Sequence, residues 1–192
     1  MKVVNQMKNV LKERLSRLTD GAAIIKVGGS TEIEIKEKYD RIDDALSATR
    51  AAISDGIVPG GGVMLFLISQ YLSKHIPEDV AKNDILTTVY LGFLDVICSP
   101  MFTIFDNANI GGELDEIINT LISKNKDFIS GKTTSVDSIV GFNIIESSFV
   151  KFIASGIIDP AKVTKTALAN AVSVANTFAS TECLISDACA KK

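Results

Sequence analysis

A run of three glycines, Gly60–Gly62, is the feature of this sequence that most invites chemistry. A helical-looking segment precedes the run, and an almost wholly apolar segment follows it. Each glycine inside regular structure costs about 0.5–1 kcal/mol relative to alanine, so the bare backbone must serve a purpose. The N–H groups could hold an anion such as phosphate at the start of a helix, or the turn could let two backbones approach closely. The glycines alone leave both interpretations open, and the packing turn is the commoner one.

Other polar side chains with chemical potential each have a structural explanation. Asp43 and Asp44 are by default a solvated charge pair on a helix. Asp159 precedes Pro160, a sequence typical of a helix start in which the carboxylate is the N-cap. Asn143 follows a glycine and an aromatic residue, where asparagine commonly stabilises a turn with its own side chain. Their types and spacing alone assign no function to these residues.

Two familiar kinds of site are disfavoured by spacing. The segment 130–135, SGKTTS, looks like the end of a phosphate-binding P-loop, but that motif needs a glycine five residues before Gly131, where this chain has Lys126. A zinc site or a disulfide framework is not expected, because His75 is the single histidine and the cysteines form no CxxC pair. We therefore expect a reducing compartment, with packed cysteines at Cys98, Cys183 and Cys189.

Bulk composition restricts the class of protein. The chain has 192 residues, 46% of them hydrophobic, a net charge of −3 and a mean hydropathy of +0.26. It can bury a sizeable core, and it is neither basic enough for a nucleic-acid binder nor polar enough for disorder. The N-terminal MKVVNQMKNVLKERL lacks the apolar stretch of a signal peptide, and Asp95 interrupts the longest candidate for a membrane span. We expect no membrane partner.

The N-terminal third predicts a helix followed by a small mixed segment. Apolar residues recur at helical spacing over 3–18, and that helix should end near Asp20–Gly21. Segments 22–27 and 31–36 alternate or are β-branched, which predicts two short strands. Residues 39–55 predict another helix, in which Asp44 lies opposite the apolar stripe.

The remainder predicts mostly helices. Residues 63–72 are apolar nearly all round, as expected of a buried helix. Asp84 is the expected N-cap of a helix over 85–98, which Ser99–Pro100 should end. Further helices are predicted around 114–121 and over 159–180, the latter with Asp159 as N-cap and Pro160 in its first turn. An irregular region at 125–145 has short β-like runs around Gly131 and Gly141, and a brief strand is predicted in the tail, at 181–187.

Several blocks in order resemble a known family. They are the segment IKVGGSTEIEIKEKYDRIDDALSATRAAISDGIVPGGG (25–62), then GFN (141–143), SGIIDPAKVTKTALANAVSVA (155–175) and STECLISD (180–187). Together they closely resemble the C-terminal part of a group I chaperonin of the GroEL family. The resemblance is strong over about 20–62 and 138–188 and weak over 75–137.

The resemblance implies a mainly α fold, the helical half of a GroEL-like equatorial domain with a small α+β intermediate-domain segment. Residues 1–21 would be the end of the apical domain and the hinge, of which only Gly21 matches the usual Gly-Gly pair. Residues 22–55 would be the intermediate-domain segment, and 56–192 the C-terminal half of the equatorial ATP-binding domain. Subunits of this family form seven-membered rings that enclose unfolded polypeptides, in some cases with a co-chaperonin, in the cytoplasm or in a mitochondrial or plastid matrix.

The resemblance also implies site residues for ATP or ADP with Mg²⁺. Gly61 matches the residue whose backbone meets the nucleotide. Asn143, Ile144 and Ile145 match the strip at the adenine end, and Asp159 matches the carboxylate near the ribose. Asp44 matches the acid that orients the water attacking the γ-phosphate, a task that requires only a well-placed carboxylate.

Departures from the family pattern bear on these implications. Ile144–Ile145 replace the usual Ala-Ala, and PMFTI at 100–104 replaces an arginine-bearing PLRQI. The family's phosphate loop and magnesium-binding acid do not occur in this chain. We therefore expect a chaperonin fragment with little ATPase activity of its own, which self-associates through helix 63–72 or is partly ordered. The alternative is a stand-alone structural or interaction protein that keeps the scaffold without the nucleotide chemistry.

Overall fold

The computed structural model describes Met7, Leu11, residues 23–110, residues 112–183 and Ile185. It has two compact units, Met1–Ala45 and Leu46–Lys192. Of the helix predicted over 3–18 only Met7 and Leu11 are described, and both are helical; the hinge at 20–21 lies outside the described residues. The domain boundaries that the resemblance implies stay predictions.

The described part of the chain is mainly helical, which confirms the predicted fold class. Two antiparallel pairs of short strands accompany the helices, β1 with β4 and β2 with β3. A single 3₁₀ turn, Val136–Ser138, precedes β2. The elements in chain order are α1 (Glu32–Asp55), β1 (Ile57–Pro59), α2 (Val63–Lys74), α3 (Glu78–Ala81), α4 (Asp84–Val96), α5 (Ser99–Asn107), α6 (Leu114–Lys124), α7 (Lys126–Ile129), β2 (Val140–Asn143), β3 (Ser148–Lys151), β4 (Ile158–Pro160) and α8 (Ala161–Ala179).

The two strands predicted at 22–27 and 31–36 are wrong. Described residues 23–29 have no regular secondary structure, and α1 begins at Glu32. The reason is a helix-starting arrangement: the Glu34 N–H donates to Thr31 Oγ1 (3.2 Å), and the Ser30 N–H donates to the Glu34 carboxylate (2.8 Å). Lys38 also donates to that carboxylate (2.6 Å), and this bond, with the one from Ser30, lowers the pKa of Glu34. Capping at Thr31 therefore overrides the alternating pattern.

The N-cap residues of α4 and α8 each differ from the predicted ones by one position. The side chain of Asn83, and not Asp84, caps α4 by accepting from the N–H groups of Ile85 and Leu86. Asp159 does not cap α8, because it lies in β4 and Pro160 occupies the cap position without a side-chain hydrogen bond. At the start of α4, Asn83 thus satisfies the unpaired N–H groups that Asp84 was expected to satisfy.

Three further segments of the second unit differ from the predicted secondary structure. Ser99–Pro100 begins α5 after a short turn and does not lead out of a helix into a loop. The tail strand at 181–187 is absent from the described residues 181–183 and 185. The region 125–145, predicted to be irregular, contains α7, the 3₁₀ turn and β2, which pairs with β3 from Val140↔Lys151 to Asn143↔Ser148.

Helix α2 is the centre of the second unit, as its apolar sequence predicted. Every residue from Gly61 to Ser73 is buried or half-buried, and α2 packs against α4 and α7. The buried core continues through α5, α6 and the β2–β3 pair; its largest members include Phe66, Leu67, Met101, Leu121 and Ile139.

Exposed apolar surface lies on α4 and α8, and the expectation that helix 63–72 would carry it is wrong. Val89 and Val96 on α4 and Phe178 on α8 are all more than half exposed. By length and composition the stretch Asp84–Asn107 would suffice to cross a membrane, contrary to the expectation from Asp95. One such stretch is weak evidence, since core helices of globular proteins pass the same test, and here a turn at Ile97–Cys98 divides it into α4 and α5.

Asn125 joins the end of α6 to strand β2. Its side chain is 4% exposed and makes three hydrogen bonds: Nδ2 donates to the carbonyls of Leu121 (2.9 Å) and Val140 (2.8 Å), and Oδ1 accepts from the Val140 N–H (2.9 Å). Both backbone groups of Val140 therefore depend on this one amide.

We predict that Asn125→Ala lowers the free energy of unfolding by about 2–4 kcal/mol, because it leaves the N–H and C=O of Val140 unpaired. Urea unfolding followed by circular dichroism measures the change. Asn119→Ala, an exposed position on α6, is the matched control and should change stability by less than about 0.5 kcal/mol. Equal effects of the two substitutions would contradict the bridging role of Asn125.

We predict that the chain self-associates with rising concentration through the apolar side chains exposed on α4 and α8, because burial of such side chains against another copy is favourable. Val89→Lys with Phe178→Lys should reduce the weight-average mass in sedimentation equilibrium. Ile24→Lys, which adds a charge at an exposed apolar side chain on neither helix, should leave it unchanged. A monomer at high concentration in the unsubstituted chain would refute the prediction.

Candidate functional site

A pocket of about 490 Å³ opens beside the glycine turn in the second unit. The start of α2, the end of α5 and strand β2 with the residues after it form its walls. The walls are mostly apolar, and no described lining residue is charged. Asn107 and Asn143 bring the only polar side chains among the described lining residues. Such a pocket suits a flat, weakly polar group held by a few hydrogen bonds.

The three glycines of the turn do different things. Gly62 has φ +75°, and a Cβ there would lie 2.7 Å from the backbone nitrogen of Met101, so this glycine permits close packing of α2 on α5. Gly61 has φ +63°, but the nearest atom to its Cβ position is 3.7 Å away on Phe152. The packing interpretation therefore accounts for Gly62. At Gly61 the backbone conformation needs glycine, and the space beside it belongs to the pocket.

Two of the described backbone N–H groups at this turn are engaged in hydrogen bonds with backbone carbonyls, and two are not. The Gly60 N–H donates to the Ile157 carbonyl (3.0 Å), and the Val63 N–H donates to the Gly60 carbonyl (3.2 Å). Within the described residues, the N–H groups of Gly61 and Gly62 donate to no backbone carbonyl. These amides lie at the N-terminal end of α2, where the helix dipole favours negative charge.

Asn143 ends strand β2 and starts a turn, as the sequence predicted. Its Oδ1 accepts from the Ile145 N–H (3.1 Å), so the side-chain oxygen is occupied and the Nδ2 group remains as a donor. Ile144 is half-buried and packs against the core. Ile145 lines the same pocket and is 95% exposed. The structure thus brings Gly61, Asn143, Ile144 and Ile145 to one pocket.

Asp159 lies on the other side of the glycine turn. It pairs with Val58 in the β1–β4 ladder, and its carboxyl carbon is 3.4 Å from the Cβ position of Gly60. Its side chain is half-buried and lines a separate apolar groove of about 530 Å³ between α2, the end of α4 and α8. The carboxylate is therefore adjacent to the turn but outside the pocket that Gly61 and Asn143 line.

Asp44 belongs to the first unit, and its action on the pocket stays a prediction. It is an exposed residue of α1, a helix without a buried residue. The stripe opposite Asp44 consists of Ile42, Leu46, Thr49 and Ile53. It is mostly exposed, since Ile53 is 81% and Leu46 40% accessible and only Ile42 is half-buried. In the described structure, therefore, this stripe is not a core-facing surface.

Two features of the site escaped the sequence analysis. Asn107 at the end of α5 and Phe152 after β3 both line the pocket. Neither has a local sequence signal, because long-range packing brings them there. Cys98 is buried, as predicted, whereas Cys183 is exposed, so the prediction that it is packed is wrong; Cys189 lies outside the described residues. Burial, with a smaller contribution from Asp95, raises the pKa of the Cys98 thiol against an opposing hydrogen bond from Ser69. Such a thiol is a poor nucleophile.

Comparison with known proteins gives three matches. The model of the TCP-1/cpn60 chaperonin family matches residues 2–188. A mitochondrial chaperonin CPN60 from Euglena gracilis is 41% identical over 180 residues, which cover 94% of this chain and 29% of that protein. The crystal structure of a group III chaperonin in the open state is similar with a TM-score of 0.59 and 23% identity, over 83% of this chain and 30% of that one. The last match shows the fold alone.

The chain spans about three-tenths of the length of the relatives that it matches. The mitochondrial location in the name of the Euglena protein is consistent with the predicted location in the cytoplasm or an organelle matrix.

We predict that Gly62→Ala destabilises the chain by about 3 kcal/mol, from left-handed strain together with the clash against Met101. Gly61→Ala has the same kind of φ but free space beside it, so it should cost only about 1–2 kcal/mol. Urea unfolding of the two variants measures the difference. Equal losses would show that Gly61 is packed as tightly as Gly62.

Proposed function

Because this chain belongs to the TCP-1/cpn60 chaperonin family, we propose that it supplies one part of a subunit that uses ATP to assist protein folding. The observation that carries the proposal is the pocket shared by Gly61 and Asn143, which lie far apart in sequence. Two segments that are distant in sequence line one apolar cavity. One wall carries Gly61, whose N–H donates to no backbone carbonyl within the described residues, and another carries the Nδ2 donor of Asn143. That combination fits an adenine nucleotide.

Each wall of the pocket has a distinct task in this proposal. The apolar side chains and Ile144–Ile145 would cover the base, and the Nδ2 group of Asn143 would donate to an acceptor on it. The N–H groups of Gly61 and Gly62 would meet a phosphate oxygen at the start of α2. Asp159, beside Gly60, would accept from a ribose hydroxyl if the sugar extends over the turn.

Charge compensation is the task that this pocket cannot perform alone. No described lining residue is a lysine or arginine, and the described residues contain no group of three or more His, Cys, Asp or Glu side chains suited to a metal. The residues present therefore fit the base and sugar better than a Mg²⁺-triphosphate. When bound, Mg²⁺ would neutralise phosphate charge, and its protein ligands would come from other parts of the subunit.

We further propose that Asp44 orients the water that attacks the γ-phosphate. Its exposed carboxylate on a long helix is free to accept a proton or to align a water molecule. The assembly partners proposed from the family are copies of the same subunit in seven-membered rings, unfolded polypeptides as clients and a co-chaperonin. These proposals concern the whole subunit, of which this chain matches about three-tenths.

We predict that this chain alone binds ATP weakly and hydrolyses little, whereas a chain extended by the preceding equatorial segment binds and hydrolyses it. In the extended chain, Asp44→Ala should lower kcat by about 10²-fold with little change in nucleotide affinity, because the residue acts on water and not on binding. Isothermal titration and a phosphate-release assay measure both quantities.

Asp43→Ala is the matched control, since the neighbouring carboxylate is equally exposed on α1, and it should leave kcat unchanged. Equal losses in the two variants would refute the role of Asp44. Turnover by the short chain alone that Asp44→Ala abolishes would refute the division of the site between two segments. Absence of binding in both chains would favour a structural protein without nucleotide chemistry.

A further inference from the structure

We propose that Phe152 is a positioning residue that sets the distance between the glycine turn and the strand that carries Asn143. This inference rests on the proposed nucleotide site and assigns a role to a residue outside the strip that contacts the nucleotide in the proposal. Phe152 is 3% exposed and lies in the pocket wall between Gly61 and strand β2.

One edge of the Phe152 ring faces Gly61. Its Cε2 atom is 3.7 Å from the Cβ position of Gly61, which is an ordinary van der Waals contact. The ring therefore touches the turn without displacing it. A smaller side chain would leave Gly61 without support on this side.

The opposite edge of the ring fills the place of a side chain at Gly141. A Cβ on Gly141 would be 2.6 Å from the Cδ1 atom of Phe152, and the Cε1 and Cζ atoms are closer still. Gly141 is not among the described residues with positive φ, so its backbone conformation does not demand glycine. The absence of a side chain at Gly141 is therefore explained by the ring, which rests directly on the β2 backbone two residues before Asn143.

Backbone hydrogen bonds connect the same parts. The Phe152 N–H donates to the Ile139 carbonyl (3.3 Å), just before β2, and the Phe152 carbonyl accepts from the Ile157 N–H (2.9 Å). The Ile157 carbonyl in turn accepts from the Gly60 N–H (3.0 Å). Phe152 is thus linked through its backbone, as well as through its ring, to both walls of the pocket.

A residue that only stabilises the fold would change the free energy of unfolding without a joint effect on the glycine turn and on strand β2. The positioning role predicts instead that Gly61 and Asn143 respond together, because one ring separates the backbones that carry them. Phe149 is the matched control: it is a half-buried aromatic residue of the same strand pair and packs on Phe142 at a ring-centroid distance of 5.1 Å. It is not among the residues nearest to the Cβ positions of Gly61 and Gly141.

The test uses ¹H–¹⁵N spectra of the labelled chain, read at the Gly61 backbone amide and the Asn143 side-chain amide. Because loss of an aromatic ring changes nearby shifts by itself, a signal counts as shifted only where the nuclear Overhauser contacts of that amide with its neighbours change as well. We expect Phe152→Ala to shift both signals and Phe149→Ala to leave Gly61 in place. Phe152→Leu, which keeps most of the volume and is the variant more certain to fold, should shift both signals less than Phe152→Ala. Unmoved signals in Phe152→Ala, or equal shifts in Phe149→Ala, would overturn the proposal.

A second-site pair gives an independent readout. Gly141→Ala should shift the Gly61 and Asn143 signals because its methyl group displaces the ring, and adding Phe152→Leu should bring both signals back toward their original positions. In the extended chain the ADP dissociation constant should rise about tenfold in Gly141→Ala and recover in the double variant. Additive shifts in the double variant would overturn the positioning role.

Failure of the underlying function is recognised separately. If ADP moves neither signal in the unsubstituted extended chain, the nucleotide proposal is refuted. The coupled response of Gly61 and Asn143 to Phe152 still decides, without any ligand, whether the ring sets their separation.

Discussion

The contact between the backbone of Gly62 and the start of α5 is the constraint on which the second unit depends. A side chain at this position would meet the Met101 nitrogen, so α2 can approach α5 only because residue 62 has no Cβ. That approach buries Phe66 and Leu67 and directs α2 through the centre of the core. Gly62 and its neighbour Gly61 both have positive φ, and Gly61 lines the pocket. The tightly packed glycine and the glycine beside the pocket are thus consecutive residues of one turn.

Asparagine side chains supply hydrogen bonds to the backbone around the pocket, where the strands are short. The ladders β1–β4 and β2–β3 are three and four residues long, too short to be stable alone. Asn125 closes one end of β2, and the Asn143 turn closes the other. Because the β2 backbone is held at both ends, the pocket wall that it forms is defined by hydrogen bonds as well as by apolar contact.

Local signals predicted the helices well and failed where distant segments meet. The buried helix 63–72 follows from its apolar sequence, and the Asn143 turn follows from the chemistry of asparagine. The T-x-x-E pattern at Thr31–Glu34 was a readable sign of a helix start, but the alternating residues 31–36 suggested a strand instead. The placement of Asp159 in β4 was not readable, because its partner strand is a hundred residues away and a local aspartate-proline pattern favours a cap.

The candidate site shows the same division. Residues Gly61 and Asn143 were identified only through resemblance to a family, since each has a sufficient structural explanation by itself. The convergence of these residues on one pocket, and the ring of Phe152 between them, are consequences of packing that periodicity and composition do not contain.

The described lining of the pocket favours an apolar, weakly polar group over a highly charged one. A nucleotide triphosphate carries several negative charges, whereas the described lining offers backbone amides, two asparagines and no cation. A helix terminus stabilises a charge by only about 0.3–1 kcal/mol at an exposed site, which is far too little to hold a triphosphate tightly. Apolar walls, in contrast, are nearly complete on the side that would face a base. In the proposed nucleotide site, therefore, the described lining residues account for contacts to the base, and binding of the phosphates requires groups other than these residues.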